Sequence, residues 1–249
     1  MAKRNLPAGG MIPTNKAMET TAPPRSDANA TRFTEADAWV FDLDNTLYPA
    51  SSNLFDQIDH NITTFIAENL QLKWEDAYRV QKTYFHEHGT TMRGLMDRHG
   101  IDPAEFLEYV HDIKLSPVNP APTLERALNR LSGRKIIFTN GSTDHAQRVM
   151  ARLGVGHHFE AVFDIVESDY VPKPEPTVYA RLVERYRINP TTTVMVDDIA
   201  RNLAPAAALG MTTVWVRTGS QWGSDQSDGK HIHHVVDDLA HWLDDLTSK

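Results

Sequence analysis

Residues 38–46 read AWVFDLDNT, and this stretch decides the fold. The run from 38 to 43 is short and apolar and leads into polar residues, which is typical of a strand buried on both faces of a parallel sheet. Comparable apolar runs follow at 135–139, 161–166, 193–197 and 212–216. Helical patterns separate them at 143–153, 176–187 and 201–209. This alternation predicts an α/β fold, with a Rossmann-like parallel sheet core and helices on both faces.

The alternation stops after the first strand. Between residues 53 and 116 the apolar residues recur at helical spacing, and no further strand is expected there. Helices are expected at about 54–70, 74–87 and 103–110. Pro103 suits the first turn of the last of these helices. The pattern therefore predicts an inserted all-helical cap over 53–116, which interrupts an α/β core made of 33–52 and 117–249.

The bulk composition of the 249-residue chain narrows the classes of function. Its net charge of -8 argues against a nucleic acid polymer as partner, because binding a phosphate backbone needs clustered Lys and Arg. It has no cysteine, which excludes disulfides, Cys-based zinc sites and a Cys nucleophile. Residues 1–32 hold few large apolar groups and are expected to form a flexible tail.

The sequence also bears on the compartment of the protein. No apolar run is long enough to cross a membrane, and no apolar segment of a secretion signal follows the N-terminus. We therefore expect a cytoplasmic protein without a membrane partner. The oligomeric state is left open at this point.

Polar side chains follow the predicted strands at the points where those strands end. Because ligands of open parallel α/β sheets bind at the carboxyl ends of the strands, we expect these side chains to lie together. They are Asp42, Asp44, Thr139, Asn140, Gly141, Lys173, Asp197 and Asp198.

The carboxylates in this group predict a magnesium site, since Mg²⁺ prefers oxygen ligands and offsets the repulsion between them. Of Asp42 and Asp44, one can attack a substrate while the other handles a proton. A carboxylate nucleophile that attacks a phosphate ester forms an aspartyl-phosphate. Lys173 supplies positive charge to a transferring phosphoryl group, and Thr139 with the amides near Gly141 supplies hydrogen-bond donors.

Four short motifs resemble those of the haloacid dehalogenase superfamily in their order and spacing. They are residues 42–47 (DLDNTL), Thr139-Asn140-Gly141, Lys173-Pro174 and Val196-Asp197-Asp198. The resemblance spans about 33–218, and the helical insertion is similar to the C1-type cap of that superfamily. Within the superfamily, the stretches 44–49, 88–95 and 99–103 resemble the pyrimidine 5′-nucleotidase branch.

The resemblance implies a role for each motif residue. Asp42 is then the nucleophile, while Asp44 protonates the leaving oxygen and later deprotonates the hydrolytic water. Thr139 and Lys173 complete the catalytic set. The substrate phosphate is bound by Thr139, Asn140, Gly141 and Lys173. Dehalogenases of the superfamily generally lack the acid/base residue, so Asp44 argues against carbon–halogen chemistry.

The resemblance also implies Mg²⁺ as the cofactor. Its ligands are expected from Asp42, the backbone carbonyl of Asp44, and Asp198 with Asp197 beside it. Which of the last two binds the metal directly is left open. Asn202 is expected to support Lys173 and the loop that carries the acidic residues, which keeps the groups that contact the ligand in place.

The predicted function is a magnesium-dependent phosphomonoesterase that works through an aspartyl-phosphate. The resemblance implies a small phosphorylated substrate, namely a pyrimidine nucleoside monophosphate such as UMP or CMP. The alternative is a phosphatase for another small metabolite, such as a sugar phosphate or phosphoglycolate. A phosphomutase and a non-catalytic binding protein on this fold are less favoured alternatives, the latter because it would need no acid/base at Asp44.

Further residues are candidates for substrate specificity: Tyr48, Thr90, Thr91 and Arg93. Tyr48, like nearby Phe55, can stack on a base or pack into the core. The three others line the substrate pocket or belong to a solvated loop.

The C-terminal part holds a cluster of histidines and an apolar stripe. We interpret His231, His233 and His234 as solvated loop residues, because no Cys or carboxylate spacing supports a zinc site. The apolar stripe over 235–246 predicts a closing helix.

Overall fold

The computed structural model describes residues 33–220 and 222–248. Its centre is a six-stranded sheet with the order β3-β2-β1-β4-β5-β6, in which every neighbouring pair is parallel. The strands are β1 (Ala38–Phe41), β2 (Arg134–Phe138), β3 (Ala161–Phe163), β4 (Thr193–Asp197), β5 (Thr212–Val216) and β6 (His234–Val236). The predicted parallel α/β fold is therefore confirmed. The predicted tail over 1–32 lies outside the described residues.

Helices cover both faces of the sheet. They are α1 (Leu54–Leu70), α2 (Trp74–His88), α3 (Thr91–His99), α4 (Pro103–Val110), α5 (Pro122–Arg130), α6 (Thr143–Leu153), α7 (Pro176–Tyr186), α8 (Leu203–Ala208) and α9 (Leu239–Thr247). Side chains of β1 alternate between the two layers, with Trp39 and Phe41 in one buried cluster and Ala38 and Val40 in the other. An apolar strand of this kind is stable only between two helical layers. None of these helices is long and apolar enough to span a membrane, over the part of the chain described.

The strand register brings the carboxyl ends of the central strands to one edge of the sheet. Phe41 of β1 lies beside Ile137 of β2 and Val196 of β4. The backbone N–H that follows Phe41 continues the pairing and donates to the Val196 carbonyl at 2.9 Å. The side chains that leave the sheet at this edge belong to Asp42, Thr139 and Asp197.

The helices α1 to α4 follow β1 directly and form the expected helical insertion. They have apolar contacts of their own, such as the edge-to-face pair of Phe65 and Phe106, whose ring centroids are 5.2 Å apart. Gly94 lets α3 approach α2, because a Cβ at this position would lie 2.5 Å from the Cβ of Tyr84. The boundaries 53–116 for a separate cap remain a prediction.

Two elements differ from the expected ones within the first two thirds of the chain. The stretch after residue 90 is the helix α3, because the Thr90 side chain caps it and accepts a hydrogen bond from the Arg93 amide at 3.2 Å. Strand β3 ends at Phe163 rather than at 166. The Asp164 carboxylate accepts bonds from the next amides, which turns the chain out of the sheet.

The predicted helix over 235–246 is wrong in its first residues. Val235 and Val236 form the edge strand β6, paired with β5, since β-branched residues suit a pleated sheet. Helix α9 begins only at Leu239, after Asp238 caps it by accepting a hydrogen bond from the His241 amide at 3.0 Å. An apolar stripe alone does not separate a short strand from the start of a helix.

Candidate active site

The structure brings the motif residues together around a buried lysine. Lys173, which is 1% exposed, lies in the loop after β3 and reaches the carboxyl edge of the sheet. Its Nζ donates to Asp42 Oδ1 at 2.7 Å, to Asp197 Oδ2 at 2.7 Å and to the Phe138 carbonyl at 2.9 Å. Burial acts to lower the pKa of Lys173, but Asp197 and Asp42 outweigh it and raise that pKa. Lys173 is therefore a fixed cation between two strand ends.

Three carboxylates, those of Asp42, Asp197 and Asp198, lie within 4.8 Å of one another and are buried. Burial and, to a smaller extent, the charge of Asp197 raise the pKa of Asp42 to about 7 against the opposing charge of Lys173. Burial and the charge of Asp42 also raise the pKa of Asp198 well above its usual range. Raised pKa values show that one lysine does not compensate this group of charges.

This donor set fits a divalent cation. The carboxylates supply only oxygen ligands, which suit Mg²⁺ rather than metals that prefer nitrogen or sulfur. A bound cation would offset the repulsion that raises the pKa values of Asp42 and Asp198. The expectation of a magnesium site therefore agrees with the chemistry of the residues present.

The two adjacent aspartates after β4 have different surroundings. Asp197 accepts hydrogen bonds from Lys173, from Asn202 Nδ2 at 3.0 Å and from the Ile199 amide at 2.8 Å. Within the described part of the chain, no hydrogen bond reaches the Asp198 carboxylate, although its backbone carbonyl accepts one from Trp215 at 2.8 Å. Asp197 is thus engaged in holding Lys173, and Asp198 is the carboxylate available to a ligand.

The loop after β2 forms a cradle beside Asp42. Thr139 Oγ1 accepts the Gly141 amide at 2.9 Å, which leaves the hydroxyl hydrogen of Thr139 for a further acceptor. The Asn140 side chain accepts the Lys173 amide at 2.9 Å and donates to the Lys173 carbonyl at 3.3 Å. Asn140 therefore ties two loops together through its side chain, and within the described residues its backbone N–H donates no hydrogen bond.

Asp44 is held by Tyr48, from the stretch 44–49, and by His145, which none of the sequence motifs includes. Tyr48 Oη donates to Asp44 Oδ1 at 2.7 Å, and His145 Nε2 lies 2.8 Å from the same oxygen. The ring of His111 stacks on that of His145, with centroids 4.4 Å apart and planes 6° apart. Burial acts to raise the pKa of Asp44, but His145 and Tyr48 outweigh it and lower that pKa.

The chain itself contains one signal for His145. Ser142 caps α6 by accepting the His145 amide at 3.3 Å, so His145 lies in the first turn of the helix that follows the Thr139-Asn140-Gly141 motif. Its contact partner Asp44 lies 101 residues earlier, which no local pattern indicates.

The candidate specificity residues of the helical insertion make contacts within the insertion itself. Thr91 Oγ1 is buried and donates to the Gln81 carbonyl at 3.0 Å. Arg93 is partly exposed and pairs with Asp97 at 3.0 Å. Thr90 serves as the cap of α3. Their role in substrate selection therefore stays a prediction, whereas Tyr48 is placed directly against Asp44.

Of the three C-terminal histidines, His233 is exposed as expected, His231 is half-buried, and His234 lies in strand β6 rather than in a loop. His231 Nε2 lies 3.1 Å from the Ala200 carbonyl. His233 Nδ1 accepts the Thr213 amide at 3.0 Å, which ties the long loop after β5 back to that strand. Both rings therefore bond to backbone groups, because the parallel edge strand β6 draws this loop onto the sheet.

A family model of haloacid dehalogenase-like hydrolases matches residues 36–210 of the chain. The chain belongs to this family. The glyceraldehyde 3-phosphate phosphatase of Methanopyrus kandleri is 32% identical to it over 73% of this chain and 84% of the relative. The fructose-1-phosphate phosphatase YqaB of Escherichia coli is 26% identical over 72% of this chain and 95% of the relative.

Among solved structures, a haloacid dehalogenase-family phosphatase from Thermococcus onnurineus shares the fold, with a TM-score of 0.55 and 19% identity. The alignment covers 84% of this chain and 97% of that structure. The predicted superfamily is thus confirmed. The names of these two relatives favour the predicted alternative, a phosphatase for a sugar phosphate. They do not support the predicted pyrimidine nucleotide substrate.

Proposed function

We propose that this hydrolase is a magnesium-dependent phosphomonoesterase that acts on a small phosphorylated metabolite of the sugar phosphate type through an aspartyl-phosphate on Asp42. The observation that carries the proposal is the buried Lys173, which bridges Asp42 and Asp197 beside the Asp198 carboxylate, to which none of the described residues donates a hydrogen bond. With Asp44 two residues after Asp42, the site combines a nucleophile, an acid/base and a phosphate-binding cation. The names of two relatives as phosphatases support the same chemistry.

The first step transfers the phosphoryl group to Asp42. Lys173 holds Oδ1 of this carboxylate, so Oδ2 is the oxygen that attacks phosphorus. The bond between phosphorus and the ester oxygen breaks, and the leaving oxygen takes a proton from Asp44. The Thr139 hydroxyl and the Asn140 amide donate to the phosphoryl oxygens, where negative charge accumulates.

The second step returns the enzyme to its starting state. Asp44 takes a proton from a water molecule that attacks phosphorus, and the bond to Asp42 breaks with release of inorganic phosphate. Each turnover thus consumes one water and returns to Asp44 the proton it gave up. This second step requires the carboxylate form of Asp44, which its lowered pKa favours, whereas the first step requires the protonated form.

Mg²⁺ bound by Asp42, Asp198 and the Asp44 carbonyl would neutralise charge on the phosphoryl group. We propose that Asp198 is the direct side-chain ligand of the adjacent pair, since Asp197 is engaged with Lys173 and Asn202. We further propose that residues 53–116 act as a cap that covers the site and selects the substrate.

Release of inorganic phosphate in the presence of Mg²⁺ tests this function. The substrates are fructose 1-phosphate, glyceraldehyde 3-phosphate, phosphoglycolate, UMP and CMP, with the Asp42→Asn variant as control. We expect release from the sugar phosphates and none from Asp42→Asn, because an amide is a poor nucleophile. Preference for UMP and CMP would retain the mechanism and replace the substrate class. Absence of release from every substrate would overturn the proposal.

A further inference from the structure

The side chain of the acid/base Asp44 is hydrogen-bonded at only one of its two carboxylate oxygens. Oδ1 receives the Tyr48 hydroxyl at 2.7 Å and His145 Nε2 at 2.8 Å. A carboxylate oxygen has two lone pairs, and these two donors occupy both of them. A proton carried by Asp44 must therefore sit on Oδ2. The contacts therefore leave Oδ1 to fix the position of the carboxylate and assign proton transfer to Oδ2.

The two donors, Tyr48 and His145, are buried, and His145 is held in place by a further ring. Tyr48 is 1% exposed and His145 is 0% exposed, so neither can turn to water. His111 lies flat against the His145 ring, and its Nδ1 lies 3.0 Å from the Ser142 hydroxyl. Within the described residues His145 Nδ1 is buried and has no hydrogen-bond partner, so the ring makes its hydrogen bond through Nε2, which faces Asp44.

The residues that fix Asp44 come from three separate parts of the chain. Tyr48 follows the nucleophile loop, His145 belongs to α6 of the core, and His111 follows the last helix of the insertion. Asp44 lies on the loop after β1, and without these contacts its carboxylate could rotate toward the cation Lys173 or a bound metal. Two donors on one oxygen prevent this rotation and keep Oδ2 in one place.

From this geometry we infer that Tyr48 and His145 are positioning residues that hold Asp44 for proton transfer to an alkoxide leaving group, and that the site is built for phosphate esters of aliphatic alcohols. This inference rests on the proposed phosphatase function. An alkoxide is a strong base and leaves only with a proton, whereas a nitrophenolate leaves without one. In the step in which the leaving group departs, the two residues therefore matter for the first kind of ester and not for the second.

The test compares kcat/KM for fructose 1-phosphate, a primary alkyl ester, with kcat/KM for p-nitrophenyl phosphate. For each ester, kcat/KM reports the first chemical step, in which the leaving group departs. In Tyr48→Phe we expect kcat/KM for the alkyl ester to fall about 10- to 100-fold, a part of the roughly 10²- to 10⁴-fold that a positioned proton donor contributes. The loss should lie in kcat rather than in KM, and kcat/KM for the nitrophenyl ester should change little.

His145 gives a second, independent variant pair. The Nε2 of a glutamine reaches about as far as that of histidine and carries a hydrogen, so His145→Gln should retain much of the alkyl ester activity. His145→Leu, which has no donor, should lose it. Tyr186→Phe is the matched control. It also removes a tyrosine hydroxyl, but this hydroxyl donates to Glu167 at 3.1 Å and not to Asp44.

The outcomes separate this inference from the function on which it rests. A selective loss of alkyl ester hydrolysis in Tyr48→Phe and His145→Leu supports it, and retained nitrophenyl ester hydrolysis shows that those variants are folded. Equal loss on both esters, or no loss on either, overturns the positioning role. A wild-type protein that hydrolyses only p-nitrophenyl phosphate overturns the substrate class. A wild-type protein inactive on both esters overturns the proposed function itself.

Discussion

At the scale of single residues, the site separates two aspartates that are neighbours in the chain. Asp197 is the acceptor for Lys173 and Asn202, and its carboxylate is 0% exposed. Asp198 has no such partner in the described residues, and burial together with nearby charge raises its pKa. We therefore assign Asp198 to metal binding and Asp197 to fixing the lysine.

Substituting each of these aspartates by asparagine tests the assignment. Asp198→Asn should raise the Mg²⁺ concentration needed for half-maximal phosphate release by at least about 10-fold, because it removes a charged ligand. Asp197→Asn should lower kcat at saturating Mg²⁺ with a smaller change in that concentration, since Lys173 loses a partner. Titration of activity with Mg²⁺ measures both, and a larger metal shift in Asp197→Asn would contradict the assignment.

The residues of the site differ in how far the sequence predicts them. Asp42, Asp44, Thr139, Lys173 and Asp198 each directly follow a strand or lie in a short motif, so local pattern and strand order locate them. Tyr48 lies only four residues after Asp44, but His145 reaches Asp44, and His111 reaches His145, through the packing of distant segments. The place of His145 just after the Thr139-Asn140-Gly141 motif can be read from the sequence, but its contact with Asp44, 101 residues earlier, cannot.

At the scale of secondary structure elements, the strands of the sheet follow their apolar runs closely, since strands buried on both faces have no alternative environment. The sequence alone predicts elements at the periphery less well. Helix α3 depends on the cap at Thr90, and the edge strand β6 depends on pairing with β5. Both are decided by contacts with the remainder of the fold rather than by periodicity.

One contact between elements links the helical insertion to the core. Arg201, in the turn before α8, donates to the Phe85 carbonyl at 3.2 Å and to the Gly89 carbonyl at 3.5 Å. Its guanidinium also lies over the Phe85 ring, 4.4 Å from the centroid. Burial lowers the pKa of Arg201, so this cation is held at a cost that its contacts offset.

The Arg201→Met variant keeps the apolar stem and removes these donors. We expect the free energy of unfolding to fall by about 1–3 kcal/mol, because two carbonyls lose a buried charged donor. Hydrogen exchange should become faster at the amides near Phe85 and Gly89 and remain unchanged in β1. Arg185→Met, whose guanidinium is exposed and pairs with Glu167, is the control. Unchanged exchange near Gly89 would show that Arg201 does not secure the insertion.

At the scale of the whole molecule, the buried carboxylates make stability depend on pH and metal together. Burial raises the pKa of Asp42 from 3.8 to about 7, so its stabilising contribution is present below 3.8 and is lost as the pH rises through about 7. The direction is the same for Asp198. Mg²⁺ competes with protons for these groups and should restore stability where protons no longer bind.

We therefore expect Mg²⁺ to raise the Tm more at about pH 8 than at about pH 5, because the carboxylates are largely protonated at the lower pH. His111, whose pKa burial lowers to about 3, destabilises the protein in acid with or without metal and cancels in the difference. Thermal unfolding in Mg²⁺ and in EDTA measures this. A Tm increase of equal size at both pH values would refute the link to Asp42 and Asp198.

The phosphoryl-enzyme on Asp42 is the intermediate on which the proposed mechanism depends. In Asp44→Asn, p-nitrophenyl phosphate bypasses the need for an acid in the first step, while the second step lacks its base. After mixing with Mg²⁺, acid quenching and proteolysis, mass spectrometry should find one added phosphoryl group on the peptide that contains Asp42, and none in the double variant with Asp42→Asn. A wild-type enzyme that releases phosphate, together with an Asp44→Asn variant that carries no phosphoryl group or carries it at another residue, would contradict the mechanism.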